Sequence, residues 1–235
     1  MFRVPAVRQS VAVLAYEPRR SREVSLVVGH GYSSSKHNLD FLCGFLSSHG
    51  YAVYNLDFPG HKLGASGGRL EKPSDLVDVM RAVVQFAQAR SNGQVLTMGH
   101  SMGAMSALRT AAQNPGVAGA ISIATGYGRP TALAALANKG VTDLRSSYVD
   151  GLTLPQVVED LDASLAIELP KLAGRPVLYI AAQNDVMVSV ASVRELFERA
   201  PEPKTFEIIA GDHTFAGENA RSTVLSWLNG LYPRK

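Results

Sequence analysis

The chain of 235 residues is short of several features that would announce a function directly. It has one cysteine, Cys43, so no intrachain disulfide can form. Cys43 lies among Leu39, Leu42, Phe45 and Leu46 at helical spacing, which reads as a buried small hydrophobe rather than a reactive thiol. There is no HExxH, no CxxC and no P-loop; "GASGG" at Gly64 to Gly68 lacks the Gly-Lys-Ser/Thr that would make it a phosphate loop. Neither a metal nor another cofactor is therefore expected. No apolar run approaches the roughly 20 residues a membrane helix needs. The opening "MFRVPAVRQSVAVLAYEPRR" lacks the long apolar core of a signal peptide. A soluble, cytoplasmic protein with no integral membrane segment is the expectation. Charge is also modest, with 18% charged residues and a net +3. The densest basic run, Arg19-Arg20-Ser21-Arg22, reads as a solvated turn, not a nucleic-acid patch. The sequence carries no signature of an oligomeric state.

What the chain does have is apolar mass, 46% of its residues, enough for a substantial core. That mass is laid out rhythmically. Strands are expected at Val7 to Ala15, Val24 to Val28, Ala52 to Leu56, Val95 to Met98, Val117 to Ala124, Val177 to Ala181 and Lys204 to Ile209. Helices are expected between them, at Lys36 to His49, Ser74 to Ala89, Met102 to Gln113, Ser189 to Arg199 and finally Phe215 to Leu231. Such alternation implies right-handed crossovers and a mostly parallel sheet with helices on both faces. The rhythm pauses after Gly126. Residues 127–172 read as a small helical cap inserted after the strand ending near residue 125, within a single domain spanning 1–235.

In an open α/β sheet, ligands bind beyond the carboxyl ends of the strands. Those ends carry, in order, His30-Gly31, Asp57, Ser101, Thr125-Gly126, Asp185 and His213. The stretch "GHSMG" places Ser101 between Gly99 and Gly103 at a strand-to-helix junction. That is either an ordinary turn serine or a nucleophile elbow. Serine, carboxylate and histidine occur in the chain order of the α/β-hydrolase triad.

With "VVGHGYSSSK", "LDFPGHKLGASGG", "GHSMG", "YIAAQNDVMVS" and "AGDHTFAG" in this order, the chain resembles the α/β-hydrolase superfamily, in particular its small serine esterases and acyl hydrolases. The resemblance runs over nearly the full length and is weakest in the cap. It implies an α/β-hydrolase fold, with Ser101 as nucleophile, His213 as general base and Asp185 as the acid that orients the histidine. It also implies an oxyanion hole made by the backbone N–H groups of Met102 and Tyr32. The Tyr32 side chain either shapes the pocket or covers the loop. Of the other histidines, His100 should point away from the cleft, His30 should bond backbone, and His37, His49 and His61 read as surface or loop residues. Asp212 is a rival acid, poorly placed beside His213 in sequence, and Asp57 reads as a loop-fixing residue. Related chains often read Gly-His-Gly-x-Ser-x-Gly after the fourth-strand aspartate; here Lys62 and Leu63 are extra, which bears on the shape of that loop.

The implied activity is hydrolysis of carboxylic esters of short to medium acyl chains, with a small-molecule ester as the partner and an acyl-enzyme on Ser101. The same residues serve a thioesterase, a lysophospholipase-type acyl hydrolase or an acyltransferase. A non-catalytic ligand-binding protein of the same fold is the alternative from another class. Leu133, Leu136, Leu144, Tyr148 and Leu152 either line an acyl pocket or bury the cap on the core, the latter being the commoner role for such residues.

Overall fold

The computed structural model describes residues 1–6, 9–91, 93–127 and 140–233. They form an 8-stranded sheet in the order β1-β2-β4-β3-β5-β6-β7-β8. The strands are β1 (Phe2–Ala6), β2 (Gln9–Tyr16), β3 (Val24–Gly29), β4 (Ala52–Leu56), β5 (Gln94–His100), β6 (Ala120–Ile123), β7 (Val177–Ala182) and β8 (Lys204–Ile209). β1 and β2 pair antiparallel, β2 pairs antiparallel with β4, and the remaining pairs are parallel. The strand β1 is not expected from the sequence. Pro5 removes a ladder donor, and β1 tolerates it because it is an edge strand with a free side.

The central strands are apolar on both faces because helices cover both. On β7, Leu178, Ile180 and Ala182 pack into one cluster with Leu42 and Leu46 of α1 (Asp40–Ser48) and Val224 and Leu228 of α7 (Arg221–Leu231). Their neighbours Val177, Tyr179 and Ala181 point the other way. They join a cluster with Leu76, Met80 and Val83 of α2 (Ser74–Arg90), Met105 and Leu108 of α3 (Met102–Gln113), and Val193 and Leu196 of α6 (Val190–Arg199). Cys43 is fully buried and burial pushes its thiol pKa up, as expected of an inert core residue.

Between β6 and β7 the described elements are α4 (Val141–Ser146), α5 (Leu154–Glu168) and a 3-10 turn, Leu169–Leu172. A Thr153–Gln156 capping box and Pro155 start α5. Its Val157, Val158 and Leu165 belong to the same cluster as α2 and α3, and α5 packs against α3 rather than directly on the strands. Leu133 and Leu136 lie outside the described residues.

The junction of β5 and α3 is unusually tight. A Cβ on Gly99 would lie 2.2 Å from the Gly103 carbonyl carbon, and one on Gly103 would lie 2.1 Å from the Gly29 carbonyl oxygen. Both obstacles are backbone, so neither can swing aside. Gly103→Ala should therefore push α3 off β3, lowering stability by about 3 kcal/mol or more. A urea titration checks this; a midpoint equal to wild type would contradict it.

Candidate active site

Ser101 ends β5 and begins α3. It has φ 54 and ψ −116, a left-handed conformation that a serine rarely adopts. The turn is held on its strand side, where the Ser101 N–H donates to the Ile123 carbonyl (2.8 Å). It is held on its helix side by the N–H groups of Ala104 and Met105, which donate to the Ser101 carbonyl. Gly99 and Gly103 permit the close approach, which is why the motif needs glycine at both places. Met102 is the first residue of α3, so its N–H belongs to the helix-terminal donors that lack an intrahelical acceptor, and it sits at the positive end of the helix dipole.

His213 follows β8 and Asp185 follows β7. The structure brings both to Ser101. His213 Nδ1 donates to Asp185 Oδ2 (2.7 Å), and the Ser101 hydroxyl donates to His213 Nε2 (3.1 Å). All three residues are buried. Asp185 divides its two oxygens: Oδ2 takes the imidazole, while Oδ1 accepts the Met187 and Val188 N–H groups (2.8 Å each). Burial alone would raise the pKa of this carboxyl; the bonds from His213, Val188 and Met187 outweigh it and hold it below the usual carboxylate value. The rival Asp212 is otherwise engaged, its Oδ1 accepting from Thr214 and Phe215 N–H in an Asx turn.

Tyr32 lies on the loop after β3. A Cβ on the preceding Gly31 would be 3.5 Å from the Ser101 Cβ, so this loop lies against the elbow. The Tyr32 hydroxyl donates to the Leu152 carbonyl (2.8 Å), tying the loop to the segment ahead of α5. That segment is also laced to the loop after β4: Leu70 and Lys62 N–H donate to Asp150 and Tyr148 carbonyls, and Asp150 N–H donates to the Gly60 carbonyl. The extra residue Lys62 adds a bond from Nζ to the Ser147 carbonyl and an ion pair with Asp150. Leu144 and Tyr148 are exposed, and Leu152 is half-buried against the core.

Beneath the loop lies a buried polar group of four. Asp57 accepts from the Lys36 amide (2.8 Å), the Lys36 ammonium (2.6 Å) and the Ala65 amide (2.7 Å), tying the loop after β3 to the loop after β4. Burial raises its pKa, and the Lys36 contacts overcome this to leave it lowered. His30 donates from Nδ1 to the Gly31 carbonyl and accepts the Phe58 N–H at Nε2, which fixes a neutral tautomer. His61, expected at the surface or in a loop, is in a loop but only 2% exposed. Its ring packs edge-on to His30 and Tyr32. Burial drives the pKa of His30 down to about 3, helped by His61, and that of His61 down to about 4.

These shifts set a pH dependence of stability. The folded protein keeps both rings neutral, while the unfolded chain protonates them below about 6.5. The unfolded state thus binds more protons, and stability rises with pH across this window. It is fully present above about 6.5 and is lost as the pH falls toward about 4, His61 alone accounting for on the order of 3 kcal/mol. Urea midpoints measured from pH 8 to pH 5 should fall steeply, and less so in His61→Gln. A parallel fall in the variant would contradict this assignment.

His100 departs from expectation. Its ring does not turn away from the site: Nε2 donates to the His213 carbonyl (2.8 Å), and the two rings lie 4.8 Å apart.

Fold and site geometry together correspond to an α/β hydrolase. Residues 20–171 match the family described as serine aminopeptidase, S33, and the chain belongs to that family of the α/β-hydrolase superfamily. A comparison with curated proteins finds no match. Among solved structures, a Paleococcus ferrophilus monoacylglycerol lipase is 19% identical with a TM-score of 0.72, over 94% of this chain and 98% of its own. Est1E from Butyrivibrio proteoclasticus, with ferulic acid bound, is 18% identical with a TM-score of 0.75, over 96% and 98%. A Pyrococcus furiosus esterase is 20% identical with a TM-score of 0.74, over 97% and 91%. At these identities the likeness is one of fold.

Proposed function

We propose that the protein is a serine ester hydrolase that cleaves carboxylic esters of short to medium acyl chains through an acyl-enzyme on Ser101. The observation that carries this reading is the unbroken relay from Ser101 through His213 to Asp185, built on a strained serine at a helix N-terminus. Ser101 Oγ attacks the ester carbonyl as its proton passes to His213 Nε2. The oxyanion rests on the N–H groups of Tyr32 and Met102. Collapse of the intermediate breaks the C–O bond, and the alcohol leaves with the proton from His213. Water, deprotonated by His213, then attacks the acyl-enzyme and releases the acid, returning the proton to Ser101.

Residues 127–172 serve in this reading as the cap of a single domain, seated where Tyr148 to Leu152 meet Tyr32 and the loop after β4. A family described as an aminopeptidase raises a peptide substrate as the second reading. Such a substrate needs a carboxylate for its α-ammonium group. The fully buried carboxylates among the described residues, Asp57, Asp75 and Asp185, are each engaged, by Lys36, by the Glu71 and Lys72 amides, and by His213, so a peptide would have to use a less buried acid.

The test is a ladder of p-nitrophenyl esters from acetate to decanoate, run beside acyl thioesters and amino-acid p-nitroanilides. The proposal expects kcat/KM to peak at a short or medium ester. Faster cleavage of the anilides would transfer the protein to the peptidase reading.

A further inference from the structure

We propose that His100 is a positioning residue that sets the height of His213 above Ser101; this rests on the reading of His213 as the general base. The base stands on a loop beyond β8, the edge strand, where Gly211 adopts φ 114. Its ring must stay in reach of two partners at once, Ser101 Oγ at 3.1 Å and Asp185 Oδ2 at 2.7 Å. Asp185 fixes the tilt of the ring from one end. It does not fix the backbone from which the ring hangs.

His100 bonds that backbone at residue 213 itself, in a loop otherwise tied by the Asn184 N–H to the Gly211 carbonyl and by the Asp212 turn. The His213 carbonyl can only accept, so His100 Nε2 carries a proton and donates it at 2.8 Å. His100 is the last residue of β5, paired with Ile123 of β6 in the middle of the sheet. It is bonded covalently to Ser101. The nucleophile and the loop of its base are thereby referred to one rigid point, with a single side chain between them. The other edge of the ring faces the oxyanion loop: a Cβ on Gly31 would lie 3.2 Å from His100 Nδ1. The imidazole is thus wedged between the base loop and the oxyanion loop. A displacement of about 1 Å at His213 lengthens the contact with Ser101 beyond hydrogen-bond range, and misplacements of that size cost about 100-fold in rate.

The test compares His100→Phe, His100→Gln and His100→Asn with the wild-type enzyme. Phenylalanine fills the space without a donor. The glutamine amide nitrogen stands about as far from the backbone as imidazole Nε2 and reaches the carbonyl; that of asparagine does not. In His100→Phe, kcat should fall about 10- to 100-fold with KM within about twofold, and the low-field NMR resonance of the His213 Nδ1 proton should shift or broaden. Gln should recover most of the loss and Asn little of it. A folded His100→Phe with wild-type kcat overturns the proposal, as does Gln performing no better than Asn. Should His100→Phe not fold, the comparison of Gln with Asn decides alone. Wild-type protein that neither hydrolyses esters nor takes up a fluorophosphonate removes the reading of His213 as base itself. An active wild type with an unaffected His100→Phe removes only the positioning role.

Discussion

Ser101→Ala should lower kcat for the proposed ester hydrolysis by about 10⁴-fold or more, with stability within about 1 kcal/mol of wild type. Only the hydroxyl is lost, and with it go both the proposed nucleophile and the hydrogen bond to His213 Nε2. The backbone that surrounds it is fixed by other contacts: the Ser101 N–H to Ile123, and the Ala104 and Met105 N–H groups to the Ser101 carbonyl. The elbow therefore persists without its hydroxyl. A small residual rate should survive, because on the proposed mechanism the Met102 and Tyr32 amides would still stabilise an oxyanion formed by water. Initial rates on the preferred p-nitrophenyl ester, paired with a thermal melt, give the result. An active, folded Ser101→Ala would return that serine to being a residue of a turn.

Asp185→Asn should be nearly as damaging, at about 10³- to 10⁴-fold in kcat, and for a different reason. The substitution keeps an oxygen for Met187 and Val188 N–H, so the turn after β7 survives. What changes is the group facing His213 Nδ1. An amide NH₂ there donates, so Nδ1 must accept and the ring proton moves to Nε2. Nε2 then points a proton at Ser101 and has no lone pair to receive one. The expected signature is a large loss of kcat with little change in KM or in melting temperature. Retained activity would mean that another carboxylate orients the base, and Asp212, bonded to its own turn, would need to be reconsidered.

Much of this architecture was legible in the sequence. The strand over Ala52 to Leu56, the helix over Met102 to Gln113 and the strand over Lys204 to Ile209 match their observed bounds. Each is a compact block between strong punctuation. Ser101, His213 and Asp185 could be nominated because each follows a strand, and the topology carries all parallel strand ends to one edge of the sheet. Within the site, what the sequence does not show has a common origin in the burial of polar residues. Lys36 stands at the start of a helical pattern, where a lysine ordinarily faces water; here it is 2% exposed because Asp57, remote in sequence, neutralises it. His61 reads as a surface or loop residue and does lie in a loop, but nothing in its neighbours foretells the packing of His30 and Tyr32 around it. His100 belongs to the same class: its direction depends on where the loop after β8 returns, which no local pattern encodes. The strand β1 is not legible in the sequence because Pro5 argues against a strand everywhere except at an edge.

The most direct measurement is to treat the protein with a fluorophosphonate and locate the adduct by peptide mass spectrometry. A single phosphonylated residue, Ser101, is expected, with no labelling when His213 is replaced by alanine. A folded protein that takes up no probe, or carries it on a residue other than Ser101, would contradict the claim that this serine is an activated nucleophile.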